Sequence, residues 1–256
     1  MKENERIWQR TVGSCNLCDH KGYLRDPVKG LYSCKCRIEY YQYLKWRNAG
    51  IPPNFCEKTI SDYTTPHPEV TDAIVRYIVQ LDDMFRDGIG LYMWGDFGVG
   101  KSGLAVEILK EALRRGKYEV AFMFWPEVMK KLTAFDEVPA DVRAETEKQL
   151  LTLDFVVIDD VGREYRREGS NWVSSNVDSI FRQRMHLGVP TILTSNFSME
   201  HVRTMYGDSL ASVFRGNLVE VRVEAEKDHR PSEGAEKREK LFQGMDFGEG
   251  LDARDS

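Results

Sequence analysis

One stretch, Gly95–Ser102, constrains this chain more than any other because it has the pattern G-x-x-x-x-G-K-S. The apolar run Ile89–Trp94 precedes it and predicts a buried strand, and helical periodicity follows over Gly103–Arg115. In such a strand–loop–helix unit, backbone N–H groups surround phosphates and the helix N-terminus adds partial positive charge. A chance glycine-rich turn is the alternative, expected in only about one chain in a hundred of this size. The motif predicts binding of a nucleoside triphosphate.

This loop and the next apolar run supply the predicted contacts to the phosphates and to Mg²⁺. Lys101 is expected to contact the β- and γ-phosphates, and Ser102 is expected to ligate Mg²⁺. Phe155–Asp160 is an apolar run that ends in two carboxylates, as in a buried strand that delivers an acid to the metal. We expect Asp159 to hold Mg²⁺ and Asp160 to polarise the attacking water, although adjacent acids also occur in turns and helix caps. The other predicted nucleotide contacts are Gly95, Asp96, Phe97, Gly98, Val99 and Gly100.

Two further polar side chains stand at the ends of apolar segments. Pro190–Asn196 is an apolar run that ends in polar residues, and the Asn196 amide is expected to hydrogen-bond the attacking water or the γ-phosphate. Serine and asparagine also begin turns and cap helices, so this pattern alone is weak evidence. Arg215 precedes the last predicted strand, where a guanidinium facing a neighbouring subunit would stabilise charge on that subunit's γ-phosphate. A surface salt bridge is the alternative for Arg215.

Four of the five cysteines form two close pairs, Cys15-x-x-Cys18 and Cys34-x-Cys36. In a reducing compartment, paired cysteines indicate a metal site more often than a disulfide. Two such pairs can place four thiolates around Zn²⁺, and the metal then stabilises a unit whose apolar core is too small to fold alone. His20 is a candidate substitute ligand, and a redox-active dithiol is the alternative to zinc.

Charge and hydropathy bound the class of protein. Residues 1–50 hold 10 of the 36 Lys and Arg residues but only 5 of the 41 Asp and Glu residues. This basic N-terminal part indicates contact with nucleic acid or an acidic partner, with a solvated basic face as the alternative. The N-terminus has no apolar signal-peptide core, and no run approaches the roughly 18 apolar residues of a membrane span. We therefore expect a cytoplasmic protein that has no contact with a membrane.

From the first predicted strand onward, strands and helices alternate. Such alternation predicts an α/β fold with a parallel sheet covered by helices on both faces. The composition changes along the chain predict four parts: a cysteine-rich head over 1–50, a linker over 51–68, a nucleotide-binding core over 69–226 and a charged tail over 227–256.

The motifs occur in the order and spacing typical of AAA+ ATPases, which have a phosphate loop, two acids after a strand, a polar sensor and an arginine. The flanking sequences Gly50–Phe55 and Asp160–Glu164 resemble bacterial replicative helicase loaders of the DnaC/DnaI type. The cysteine pairs resemble the zinc-bearing head of the DnaI branch. The resemblance covers roughly residues 13–223, and its motifs are shared with the transposition helper ATPase IstB.

The resemblance implies an AAA+ P-loop ATPase core preceded by a small zinc-binding N-terminal domain. By it, Asp160 activates water, Asn196 is the first sensor, and Arg215 is an arginine finger that acts on the neighbouring subunit. Arg230 falls where a second sensor arginine is expected, and Arg184 could reach across the subunit boundary. An ordinary surface cation is the alternative for both Arg230 and Arg184.

In such loaders, the segment that corresponds to Trp125–Leu151 faces single-stranded DNA inside a ring of subunits. Cations and aromatic rings suit sequence-tolerant strand binding, and this segment and its flank contain Lys130, Lys131, Phe124, Trp125 and Phe135. An amphipathic helix that packs its aromatic side chains inward explains the same residues.

The implied function is ATP-dependent loading of the replicative DNA helicase during DNA replication. In this hypothesis the protein binds single-stranded DNA, associates with itself through the ATPase core and hydrolyses ATP at the interfaces between copies. An IstB-like transposition helper ATPase is one alternative, and an adaptor that uses ATP as a switch without hydrolysis is another.

Overall fold

The computed structural model describes residues 3–63, 67–163 and 172–225, with the backbone alone over 172–176. The first elements are α1 (Glu3–Thr11), β1 (Tyr23–Asp26), β2 (Gly30–Ser33) and α2 (Lys35–Asn48). Three helices follow, which are α3 (Pro53–Cys56), α4 (Pro68–Val79) and α5 (Leu81–Asp87). The remaining elements are β3 (Gly90–Trp94), α6 (Lys101–Arg115), β4 (Val120–Phe124), α7 (Trp125–Thr133), α8 (Ala140–Thr152), β5 (Phe155–Val161), α9 (Trp172–His186), β6 (Thr191–Ser195), α10 (Met199–Tyr206), α11 (Asp208–Asn217) and β7 (Leu218–Arg222).

The central sheet has five strands in the order β4-β5-β6-β3-β7, and all neighbouring strands are parallel. Strands that are adjacent in space but not in sequence require crossover connections, which place helices on both faces of the sheet. The predicted parallel sheet flanked by helices is therefore confirmed. Because the strands are parallel, the segments after β3, β5 and β6 meet at one edge.

Apolar packing covers both faces of the sheet. Successive residues of β5 face opposite sides, so Val157 packs in one cluster with Leu104 of α6, while Val156 packs in the other with Trp125 and Phe181. This explains why β5 is a continuous apolar run in the sequence.

The boundaries of one predicted helix differ from the structure. The sequence predicts a single helical stripe over Glu69–Arg86, but the helix is interrupted at Gln80, which separates α4 from α5. The apolar stripes of the two helices stay in phase across Gln80, with Tyr77 and Leu81 both buried. Periodicity therefore does not reveal the interruption.

The N-terminal unit, which consists of α1, β1, β2 and α2, contacts the part that contains the central sheet where α2 meets α6. Lys110 of α6 is 1% exposed, and its ammonium group donates hydrogen bonds to the Glu107 carboxylate at 2.7 Å and to the Lys58 carbonyl at 2.6 Å. The same ammonium group lies 4.8 Å from the centre of the Trp46 ring in α2. The amide of Phe122 in β4 donates to the Ala49 carbonyl at 2.7 Å, which joins the end of α2 to the sheet edge.

Within the described ranges, none of the helices combines the length and apolar character that a membrane span requires.

Candidate nucleotide site and metal centre

The predicted phosphate loop connects β3 to α6 at the carboxyl edge of the sheet. Gly95, Gly98 and Gly100 have φ angles of 152°, 74° and 97°, a region that side chains with a Cβ rarely adopt. A Cβ at Gly95 would also overlap the carbonyl oxygen of Val223. Both the φ angle and this close approach therefore require glycine at position 95. Gly100 precedes α6 and no side chain caps that helix, which leaves its first-turn N–H groups available to a phosphate.

Lys101 begins α6 and its side chain is buried in the loop. Its ammonium group donates hydrogen bonds to the carbonyl oxygens of Gly95 at 2.9 Å and Asp96 at 2.7 Å. It also donates to the side-chain oxygen of Asn196 at 2.9 Å, which connects the loop to the end of β6. The structure therefore brings together two residues that the sequence predicted for the same site from separate motifs.

Asp159 lies in an irregular part of β5, where the pairing with β6 shifts between Ile158 and Val161. At this bulge, the Thr194 hydroxyl donates to the Asp159 carboxylate at 2.5 Å and accepts a hydrogen bond from the Asp160 amide at 3.0 Å. Burial raises the pKa of Asp159, while hydrogen bonds from Ser102 and Thr194 oppose that rise. A carboxylate and a hydroxyl at one point suit Mg²⁺, so Asp159 and Ser102 are the residues that would hold the ion.

Asp160 adopts a φ angle of 67°, which is unusual for a residue other than glycine. Its carboxylate accepts a hydrogen bond from the Asn196 amide at 3.1 Å and pairs with the Arg163 guanidinium at 2.9 Å. Lys101, Asn196 and Asp160 thus form one hydrogen-bonded chain from the phosphate loop to the second acid. Such a chain can position phosphates, a metal ion and an attacking water together.

Thr194 is a residue of this site that the sequence did not identify. It stands in the run that predicted Asn196, and a polar residue inside an apolar strand was the available signal. Its partners could not be identified, because they depend on the register of β5 against β6.

Arg215 lies apart from this network, exposed in the last turn of α11. Among residues 3–63, 67–163 and 172–225, no hydrogen bond or ion pair to its guanidinium is found, so the surface salt bridge considered as its alternative is not formed within them. Its assignment as an arginine finger stays a prediction. Arg230 lies outside the described residues.

Arg184 is neither an arginine that reaches a neighbouring subunit nor a surface cation. It is 0% exposed, and its guanidinium donates to the Thr191 hydroxyl at 2.9 Å, to the Pro190 carbonyl at 3.2 Å and to the Leu150 carbonyl. Burial lowers the pKa of Arg184 to about 10. The sequence could not show this because the carbonyl groups come from the ends of other elements.

The four cysteines of the two pairs converge. The Sγ atoms of Cys15, Cys18, Cys34 and Cys36 all lie within 4.8 Å of one another. Two of these separations are 3.9 Å, for Cys15 and Cys34, and 3.5 Å, for Cys18 and Cys36. Sulfur atoms about 2.3 Å from a tetrahedral zinc ion lie about 3.8 Å apart, so the cluster fits Zn²⁺. His20 does not belong to the cluster.

The clustered thiols change one another's ionisation. Burial opposes ionisation of Cys18, but the Gly22 amide, which donates to its sulfur at 3.2 Å, and the neighbouring thiols lower its pKa to about 7. Burial and the other three thiols of the cluster raise the pKa of Cys36, so within the cluster Cys18 is the thiol that ionises more readily. Asp19 and His20 follow the first pair with φ angles of 50° and 61°, so the chain reverses tightly around Cys18.

The side chains predicted to contact single-stranded DNA divide into two groups. Trp125 is fully buried against Phe181, so its assignment as a stacking ring is wrong and the inward-packed alternative applies to it. Lys130 and Lys131 are exposed. Phe124 is partly exposed, and Phe135 lies beneath the Arg143 guanidinium at 5.0 Å.

The model of the family described as IstB-like ATP binding protein matches residues 46–219. The chain belongs to this family. The match includes the phosphate loop, Asp159, Asp160, Asn196 and Arg215, and it identifies the chain as an AAA+ protein that binds ATP.

Similar proteins agree with this assignment. The chain is 29% identical over 117 residues to the replicative helicase loader DnaI of Bacillus subtilis strain 168. The match covers 45% of this chain and only 36% of that relative. A crystal structure of the DnaC helicase loader aligns with a TM-score of 0.58 at 20% identity, over 68% of this chain and 100% of that one. A crystal structure of DnaI aligns with a TM-score of 0.56 at 20% identity, over 70% and 94%. These two alignments show that this chain has the same fold as the aligned structures.

Proposed function

We propose that this protein is an ATP-dependent loader of a replicative DNA helicase. The observation that supports this most is the network from Lys101 through Asn196 to Asp160, beside the buried pair of Asp159 and Thr194, in a chain whose N-terminal cysteines also converge. The network suits ATP hydrolysis, and the cysteine cluster distinguishes the chain from an ATPase core alone.

The residues of the network take separate roles in the proposed hydrolysis. Lys101 exchanges its contacts to loop carbonyl oxygens for contacts to the β- and γ-phosphates, since an ammonium group prefers the charged acceptor. Mg²⁺, when bound, neutralises charge on the phosphates. Asp159 and Ser102 hold that ion, Asp160 orients the attacking water, and Asn196 fixes Asp160 relative to Lys101.

Hydrolysis at an interface between two copies requires a residue from the neighbouring copy. Arg215 is exposed on α11 and lies outside the network of its own subunit. We assign it to the γ-phosphate of the adjacent subunit, where a guanidinium stabilises charge in the transition state. ATP would then hold neighbouring copies together through the ATPase core.

Single-stranded DNA is the proposed nucleic-acid ligand. Lys130 and Lys131 are exposed in the last turn of α7, where they can neutralise backbone phosphates. Phe124 and Phe135 keep exposed surface that could stack on bases. Trp125 takes no part in this.

The head over residues 1–50 is the proposed docking unit for the helicase, joined by a linker over 51–68 to the core over 69–226 and the tail over 227–256. The relative from Bacillus subtilis bears the name of a replicative helicase loader, which favours this partner. A cytoplasmic location is part of the proposal.

The arginine finger is tested with the full chain. Arg215→Ala should retain binding of a fluorescent ATP analogue but reduce phosphate release by about 10³-fold or more, the range seen when such an arginine is removed. Arg86→Ala is the control, because Arg86 is an exposed arginine on α5, before the first strand of the sheet.

Mixing two inactive variants distinguishes an arginine that acts in trans. Arg215→Ala and Asp160→Asn protomers, combined, should recover part of the phosphate release, because some interfaces then contain both intact residues. If mixing restored no phosphate release, or if Arg215→Ala hydrolysed ATP at the wild-type rate, the assignment of Arg215 to the neighbouring subunit's γ-phosphate would be contradicted.

A transposition helper is the second candidate, because the matching family model is described as IstB-like. The cysteine cluster favours the loader, since such helpers generally lack a metal-binding head. Pull-down of the purified protein with a replicative helicase and with a transposase separates the two, and capture of the transposase alone would favour the helper.

A further inference from the structure

We infer that Arg163 is a positioning residue that restrains Asp160 and thereby lowers the rate of ATP hydrolysis in the absence of partners. The inference rests on the proposed function, because it assigns a regulator to the acid that orients the attacking water. Arg163 follows the end of β5 by two residues and is the last residue of the described range 67–163.

Both carboxylate oxygens of Asp160 are engaged. Oδ1 accepts a hydrogen bond from the Asn196 amide at 3.1 Å, and Oδ2 pairs with the Arg163 guanidinium at 2.9 Å. The Asp160 backbone is also fixed, because its amide donates to Thr194 at 3.0 Å and its φ angle is 67°. The carboxylate can therefore change its partners only by side-chain rotation or by movement of Arg163 or Asn196.

The Arg163 guanidinium also reaches the phosphate loop. Its central carbon lies 5.5 Å from the centre of the Phe97 ring, and Phe97 is more than half exposed within Gly95–Ser102. A guanidinium over an aromatic face is attracted electrostatically. Arg163 thus joins the second acid to the loop that surrounds the phosphates, and a change in that loop alters its hold on Asp160.

The exposure of the Arg163–Asp160 ion pair limits how much Arg163 can change the rate of hydrolysis. The Arg163 side chain is 49% exposed and that of Asp160 is 17% exposed, so the ion pair opens readily. An ion pair in this environment changes an equilibrium by up to about fivefold. When it opens, Oδ2 is free to accept a hydrogen bond from water, which is the arrangement that hydrolysis needs.

The test measures phosphate release by the full chain at saturating ATP and Mg²⁺. Arg163→Ala should raise kcat by about two- to fivefold and leave the KM for ATP within about twofold of the wild type. Arg163→Lys keeps the charge and should restore a rate near that of the wild type. Asp160→Asn and the double variant Arg163→Ala/Asp160→Asn should be equally inactive, because the effect of Arg163 acts through Asp160.

Arg203→Ala is the matched control. Arg203 is also 49% exposed and pairs with Glu200 three residues before it, as Arg163 does with Asp160. This control should leave kcat unchanged, and thermal unfolding should be similar for all single arginine variants.

The outcomes separate this inference from the proposed function. An unchanged or lowered kcat in Arg163→Ala, with an active wild type and an inactive Asp160→Asn, overturns the role of Arg163 alone. A wild-type protein that binds ATP without releasing phosphate, with or without single-stranded DNA, overturns the proposed hydrolysis and this inference together.

Discussion

Asp159 combines a cost to stability with its proposed role in holding a metal ion. Its carboxylate is buried at the bulge of β5, and burial raises its pKa. Ionised Asp159 therefore destabilises the folded protein at pH values above the pKa that the residue has in the unfolded chain. Binding of a metal ion would offset this destabilisation, because the ion favours the ionised form.

Asp159→Asn should accordingly stabilise the ligand-free protein at neutral pH, by about 1.4 kcal/mol for each pKa unit of the shift. Below the reference value of 3.8 the residue is protonated in both states, so the difference from the wild type should vanish as the pH falls. Thermal unfolding between pH 3 and pH 8 measures this, with the exposed Asp136→Asn as control. A variant that is less stable than the wild type at pH 8 would contradict the prediction. The same variant should lose the Mg²⁺ dependence of nucleotide binding.

At the scale of residues, Asp159, Asp160 and Asn196 could be proposed as site residues from the sequence, because they stand at the ends of apolar runs. It did not predict the positive φ angle of Asp160 or the hydrogen bonds of Thr194. Both depend on the shift in pairing between β5 and β6, which is a tertiary property that local patterns do not contain.

At the scale of elements, α9 is fixed to its surroundings by Arg184. Its guanidinium satisfies carbonyl groups at the end of α8, in the loop after it and just before β6. Carbonyl groups in those positions have no partner in a regular element, so the arginine replaces the water that they would otherwise need.

Arg184→Leu should destabilise the protein by about 3 kcal/mol or more, since several buried carbonyl groups lose their donor at once. Arg182→Leu is the control on the same helix, because the Arg182 side chain is 39% exposed and pairs with Asp178. That control should cost less than about 1 kcal/mol. Denaturant unfolding compares the two, and equal losses would contradict the assigned role.

Helices and strands with strong patterns were predicted with small boundary differences. The sequence predicted helical periodicity over Gly103–Arg115, and α6 begins two residues earlier at Lys101 and ends at Arg115, where Gly116 terminates it in a left-handed conformation. It placed a single helix over α4 and α5, because an interruption that preserves the phase of the apolar stripe leaves no local signal.

At the scale of the whole molecule, the interior of the N-terminal unit is formed around its cysteine cluster. Within the described residues, its buried cluster consists of Val12 with Cys18, Cys34 and Cys36. A core of this size does not fold a unit by apolar burial alone. The cysteine spacing predicted this centre, whereas the packing of α2 on α6 had no counterpart in the sequence patterns.

Cys18→Ser should therefore remove about one equivalent of zinc per chain and unfold the N-terminal unit, while the core keeps its nucleotide-protected thermal transition. Metal analysis and circular dichroism measure these effects. Cys56→Ser is the matched control, because Cys56 is a buried cysteine outside the cluster. Full zinc content in Cys18→Ser would contradict the four-thiolate centre.

The buried Lys110 has a mechanical consequence. It follows Lys101 by nine positions on the same helix, a distance of about 13 Å along a stiff axis. One end of that axis holds the phosphate loop, and the other holds Trp46 and the Lys58 carbonyl. By thermodynamic reciprocity, a ligand bound at either place should change the affinity for a ligand bound at the other. The two affinities should change by the same factor.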